Sequence, residues 1–371
     1  MRQESYCRAV VMASALAASV ASGQDNSRLD PDGAAGTKNR FGLSYRMGFN
    51  ISAKFKNLGG YSLLSNPGRT PNGAAWNYDN GYNLDDAPGT PPGSTWYWGY
   101  INASQVHDGN LYLSRSSAAG NISSGEKEND PQQPGFELTY NRWLGKAGKA
   151  NWGLEGAFNF MSLSIRDNST LLGNVTVQTD AYALNGVIPP QPPYFGTYEG
   201  PVPGGPNRPV ISDTPIPQAA VLLPNGAIIT GERKIDADLY GFRIGPYLDF
   251  PLSEKLTLSL SGGFAVVSVQ SKFKFNETVA IPIIAATAPA TVPGGPAANS
   301  VTRAGSDSHS DFLLGGYGAG NFSYSFNKSW SAFVGGQYQN VGRFSQKLGG
   351  KQADLDLSKS IFVTVGVGYS F

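Results

Sequence analysis

Cysteine is almost missing: the chain has one, Cys7, among 371 residues. A small domain stapled by disulfides is therefore excluded. Histidine is nearly as scarce, with only His107 and His309 to serve as candidate bases. Past the first residues, no apolar run approaches the roughly 18 residues that a membrane-spanning helix needs. Charge of either sign is sparse, with 28 basic and 27 acidic side chains. That balance speaks against a nucleic-acid surface. Zinc spacing, phosphate-cradling loops and nucleotide fingerprints are all wanting. No catalytic, cofactor-binding or metal-binding residue is assigned, and no cofactor is expected.

Glycine and proline are abundant instead, at 47 and 25 residues. With little helical periodicity, they predict an all-β chain with long irregular connections. The chain starts with Arg2 and Arg8 ahead of an apolar segment, Ala9 to Ala21, followed by small residues. That pattern reads as a secretory signal peptide over residues 1–23, cut after Ala21 or Gly23. Its removal leaves no cysteine and equal numbers of acidic and basic side chains.

The stretch FGLSYRMGFNISAKF alternates from Phe41 to Phe55: odd positions are apolar, even ones small, polar or charged. A period of two predicts a β-strand with one oily face and one polar face. It is far longer than the average strand of about 5–6 residues. The final residues, SIFVTVGVGYSF, alternate likewise, with Phe362 the exception, and end on Phe371. A last strand closing on an aromatic residue resembles the C-terminal signature of the small bacterial outer-membrane β-barrel superfamily. The resemblance extends over roughly residues 40–371 through the strands alone. It implies an outer-membrane location, contact with outer-membrane lipid, and use of the secretion and barrel-assembly machinery. In that family the terminal strand is read during insertion, a role that falls here on Val367, Tyr369 and Phe371.

Between the ends, alternating segments pair around short turns: 135–145 with 151–166, 234–250 with 255–275, and 310–326 with 330–344. The end strands bring the total to eight. The other connections, about 57–134, 167–233, 276–309 and 345–357, are long. Short turns on one rim and long loops on the other suit an outer-membrane barrel. Loops in compact soluble domains have a median of about 4–6 residues. The expected fold is all-β, a closed antiparallel transmembrane β-barrel of eight strands over residues 40–371, with residues 24–39 as a periplasmic lead-in. A second reading adds 94–106 and 110–118 as a hairpin, giving ten strands. Tyr140, Trp152, Tyr324, Trp330 and Tyr369 flank the short turns or the C-terminus, as an interfacial girdle would. Pro246 interrupts a good strand, and a bulge is the expected remedy.

Alternation also assigns an interior. If the oily faces look outward, Arg46, Asn50, Lys54, Glu155, Arg243 and Gln337 point into the lumen. Charges of both signs there should pair, because an isolated buried charge is very costly. Eight strands leave an interior just wide enough for side chains to fill. The functional expectation is non-enzymatic: anchoring, or interaction with an extracellular ligand through the loops, around a filled lumen. A narrow pore for small polar solutes is the alternative, and a lipid-modifying enzyme a distant third. For the last, His309 and Ser310 are strand neighbours whose side chains point apart, which opposes nucleophilic catalysis.

Overall fold

The computed structural model describes residues 39–62, 68–70, 73–129, 135–200, 209–282 and 300–371. The expected signal peptide and nearly all of the lead-in lie outside the described residues, as do residues 201–208 and 283–299 within the proline-rich runs. No described helix is long and apolar enough to cross a membrane, which says nothing of strands.

Eight strands follow the alternation: β1 Asn39–Phe49, β2 Gly135–Ala147, β3 Ala150–Asp167, β4 Val221–Pro251, β5 Leu256–Ala280, β6 Ser300–Ser325, β7 Trp330–Asn340 and β8 Ser360–Ser370. Each pairs antiparallel with the next, and β8 pairs with β1, so the sheet closes into a ring. Closure at this level removes the sheet edges that would invite pairing with other chains. The turns between β2 and β3, β4 and β5, and β6 and β7 are short, and every other connection is long.

The strands run further than the alternation indicates. β4 begins at Val221, and β5 and β6 stay paired up to Ala280 opposite Ser300. This surplus length builds a second sheet region beyond the ring. Leu171–Ala183 continues along β4, Asn110–Ile122 pairs with it, and Leu58–Ser62 pairs with Asn110–Ile122. Much of 57–134 and 167–233 is therefore β-sheet rather than irregular loop. Valine, isoleucine, threonine and tyrosine in LLGNVTVQTDAYA and AIITGERKIDADLY account for it. The extra hairpin of the ten-stranded alternative stays outside the ring. Asn110–Ile122 belongs to the outer sheet, and 94–106 contains only Ser94–Thr95, Trp98–Tyr100 and a single 3-10 turn before Val106.

Two local expectations change. The first strand is not continuous to Phe55: it ends at Phe49, Asn50 adopts a φ of 56°, and a separate strand spans Ser52–Lys56. Asparagine tolerates this left-handed conformation better than most residues, and the extra residue shifts the alternation by one. Pro246 needs no bulge, since β4 keeps one register with both β3 and β5 across it. Pairing of β4 with β5 lapses between Ile244–Phe264 and Tyr247–Ser261, so the missing N–H of Pro246 falls where Gly262 and Gly263 stand opposite.

Candidate functional site: the interior of the ring

Successive side chains of a strand point to opposite faces, so closure sorts the residues into an outer and an inner set. The outer set is apolar around the ring. Leu43 and Val365 are each 52% exposed, and Phe264, Phe312 and Leu314 more than 70%. Aromatic rings line the short-turn rim: Phe41 lies 5.1 Å from Tyr140 and 5.7 Å from Phe371, and Trp330 lies 5.1 Å from Tyr369. Val367, Tyr369 and Phe371 all belong to this exposed outer surface. A second aromatic series joins Phe136, Phe158 and Phe242 across β2, β3 and β4.

The inner set is polar and buried. Glu137 on β2 sits between two guanidinium groups. Arg46 on β1 bonds it from one side, and Arg243 on β4 donates to it at 2.7 Å from the other. Arg243 also pairs with Glu155 on β3, which accepts from Asn141 at 2.8 Å and from Ser261 on β5 at 3.0 Å. Arg46 donates to Gln339 on β7 at 3.2 Å, and Gln337 donates to the same Gln339 oxygen at 2.9 Å. The flat faces of the guanidinium groups are covered by rings, Phe362 of β8 at 3.6 Å from Arg46 and Tyr317 of β6 at 4.7 Å from Arg243. All eight strands thus contribute to one cross-section. Two arginines balance two glutamates, the condition under which buried charge is tolerated. A cavity of about 30 Å³, lined in part by Glu137, Asn141, Glu155 and Arg243, adjoins the layer, and one of about 10 Å³ borders Arg46. Such volumes hold about one or two waters at most.

Beyond this layer the pattern turns inside out. On β4 the outward residues change from Tyr240, Phe242 and Ile244 to Asp238, Asp236 and Lys234, and the inward ones from Arg243 to Leu239, Ala237 and Ile235. β3 changes between Phe160 and Ser162, and β5 between Val266 and Gln270. The outward face there carries polar pairs, such as Ser164 with Asp236 at 2.6 Å. β1, β7 and β8 reach the same inversion by bending. After Asn50, after Gly342 (φ 86°) and before Ser360, their continuations Ser52–Lys56, Arg343–Leu348 and Lys351–Asp356 form a small sheet of opposite phase. Ile51, Phe55, Phe344 and Leu355 now point inward and join Leu163, Ile235, Val269 and Phe273 in an apolar core, broken locally by Ser271 donating to Gln346 at 2.7 Å.

Of the residues expected in the lumen, Arg46, Glu155 and Arg243 lie in the charged layer, and Gln337 is buried beside it. Asn50 and Lys54 lie elsewhere. Asn50 is the exposed kink residue, donating to the Lys359 carbonyl at 2.8 Å. Lys54 follows the phase shift, so it flanks the inward-facing Ala53 and Phe55 on the opposite face. Two central members of the layer, Glu137 and Asn141, lie outside that expected set. Glu137 was accessible from its place between Phe136 and Leu138 in an alternating stretch. Among the described residues, no group of histidine, cysteine and carboxylate side chains could hold a metal ion.

No protein-family model matches the chain, and no curated protein sequence does. The solved structures with which it aligns include three from bacteria. Outer membrane protease OmpT from Escherichia coli shares 10% identity over 94% of this chain and 99% of that one, with a TM-score of 0.33. Ail, the attachment invasion locus protein of Yersinia pestis, shares 11% over 90% and 99%, at 0.24. A FadL homologue of Pseudomonas aeruginosa shares 11% over 90% of each chain, at 0.19. Likeness at this level leaves the fold resting on the strand pairing and carries no functional argument.

Proposed function

We propose that the chain is an integral outer-membrane β-barrel with a sealed lumen, which anchors a β-rich extracellular region at the cell surface. The inversion of the strand pattern at one level carries this reading. An apolar outside over a polar inside suits hydrocarbon, and a polar outside over an apolar core suits water. The outward apolar runs Phe41–Phe49, Trp152–Phe160, Tyr240–Phe250 and Leu256–Val266 match the roughly 9–11 residues of a tilted membrane strand. The aromatic rim at the short turns then sits at the periplasmic interface, and the long connections face outward from the cell. On this reading Val367, Tyr369 and Phe371 serve recognition by the assembly machinery, and the outer sheet is the surface offered to an extracellular ligand.

A sealed lumen is favoured over a pore by the neutral charged layer, its small cavities and the apolar core stacked above it. The role proposed is non-enzymatic: His309 lies 5.8 Å from the Phe344 ring, while Ser310 faces away from it along the strand. Purified protein in planar bilayers is expected to give no stable conductance steps. Reproducible unitary steps from the natural sequence would favour a solute channel instead.

A further inference from the structure

The outer sheet contains a carboxylate in an unusual place. Residues Gly73–Tyr78 and Gly81–Asn83 form a β-hairpin, with Tyr78 opposite Gly81, so Asp79 and Asn80 are its two-residue tip. Hairpin tips ordinarily face water, yet Asp79 is only 5% exposed. The tip is pressed against the strand Asn110–Ile122. Asp79 donates its backbone N–H to the Ser114 carbonyl at 2.8 Å, and the Ser114 N–H donates to Asn80 Oδ1 at 2.8 Å. Gln105 donates to the Asn80 carbonyl at 3.0 Å.

The Asp79 carboxyl accepts from the hydroxyl and the backbone N–H of Ser116, while its Oδ1 has no hydrogen-bond partner. Among the described residues, no cation is among the groups acting on it. The strands Leu58–Ser62 and Leu171–Ala183 bring neutral or acidic groups instead. Tyr61 of Leu58–Ser62 senses the Asp79 charge. From Leu171–Ala183, Asp180 and Tyr182 bond the Tyr78 hydroxyl at 2.7 and 2.8 Å. Arg115, on the docking strand, is directed over the Trp76 ring at 5.8 Å. A carboxylate buried without a cation is disfavoured over its neutral acid.

We propose that this hairpin is an acid-locked clasp of the extracellular sheet: with Asp79 protonated it stays docked on Asn110–Ile122, and ionisation of Asp79 loosens it. Burial pushes the Asp79 carboxyl up to about 6, from an ordinary 3.8. A group raised in the docked state stabilises docking fully below its ordinary value, and that stabilisation is lost as pH rises through the docked value. The window therefore runs from about pH 4 to about pH 6, and docking is at its weakest above it.

Amide hydrogen exchange of the full-length, detergent-solubilised protein tests this directly. After correction for intrinsic exchange, opening of peptides spanning 76–83 and 110–116 is expected to be about tenfold greater at pH 8 than at pH 5. Asp79→Asn, which mimics the neutral acid, should hold the same peptides closed at both pH values. Ser116→Ala removes a hydrogen bond that favours the ionised form, so the docked carboxyl should rise further and opening at pH 8 should exceed that of the natural sequence; unchanged opening contradicts the proposal. His107→Gln should leave the response intact. Equal protection at pH 5 and 8 in the natural sequence overturns the clasp, as does an undiminished pH response in Asp79→Asn.

Discussion

Glu137→Gln is expected to destabilise the folded protein by about 3–5 kcal/mol, the cost of breaking a buried ion pair by removing one partner. The carboxamide keeps the shape of the side chain but leaves Arg46 and Arg243 in one layer with only Glu155 to balance them. Their guanidinium groups are fully buried, so water cannot substitute for the lost charge. Adding Arg46→Gln should recover part of the loss, because the double variant is again neutral. Strong coupling of this kind is the signature of residues sharing one network. Urea-titrated unfolding in lipid vesicles reads both effects. A cost below about 1 kcal/mol, typical of exposed pairs, would place Glu137 outside the network.

The second large effect concerns the outer face. Val365 lies in the middle of the apolar belt, between Tyr45 of β1 and Val334 of β7. Val365→Arg is expected to cost about 2–4 kcal/mol in a bilayer, as for a cation near the midplane of a barrel. Gln270→Arg is the matched control. Gln270 also faces outward, on β5, but beyond the level at which the pattern inverts. There the same charge should change stability by no more than about 0.5 kcal/mol. Equal costs at the two positions would remove the distinction between a lipid-facing and a water-facing part of the wall.

Much of this architecture is legible in the sequence. The alternation from Phe41 to Phe49 and from Ile361 to Tyr369, and the regular succession of short and long connections, point to eight paired strands. Parity alone places Arg46, Glu155 and Arg243 inside. Asn50 and Lys54 are misplaced by the same rule, because one residue with positive φ reverses the phase, and nothing in the apolar pattern of FNISAKF marks the reversal. The far ends of β4 and β5, Val221–Arg233 and Asn276–Ala280, fall outside the segments read as strands for a different reason. In KIDADL, lysine and aspartates sit where the rest of the strand has oily residues, so it reads as the start of a strand rather than its middle. The change of identity between Leu239 and Tyr240 is nonetheless written in that segment. It becomes interpretable once both halves are known to be a single strand. Pairing across the long connections, such as Asn110–Ile122 with Leu171–Ala183, depends on contacts between distant segments that no local pattern encodes.

The orientation of β4 offers the most direct test. Cys7 is the sole cysteine and falls within the expected signal peptide, so single cysteines can be placed along β4 without interference. In lipid vesicles, cysteines at Phe242, Ile244 and Leu248 should resist a water-soluble thiol reagent and react with one confined to the hydrocarbon. At Lys234, Asp236 and Asp238 the preference should reverse, with the change falling between Asp238 and Tyr240. Free reaction of all six positions with the water-soluble reagent, by a protein that stays monomeric without detergent, would contradict a membrane-embedded ring.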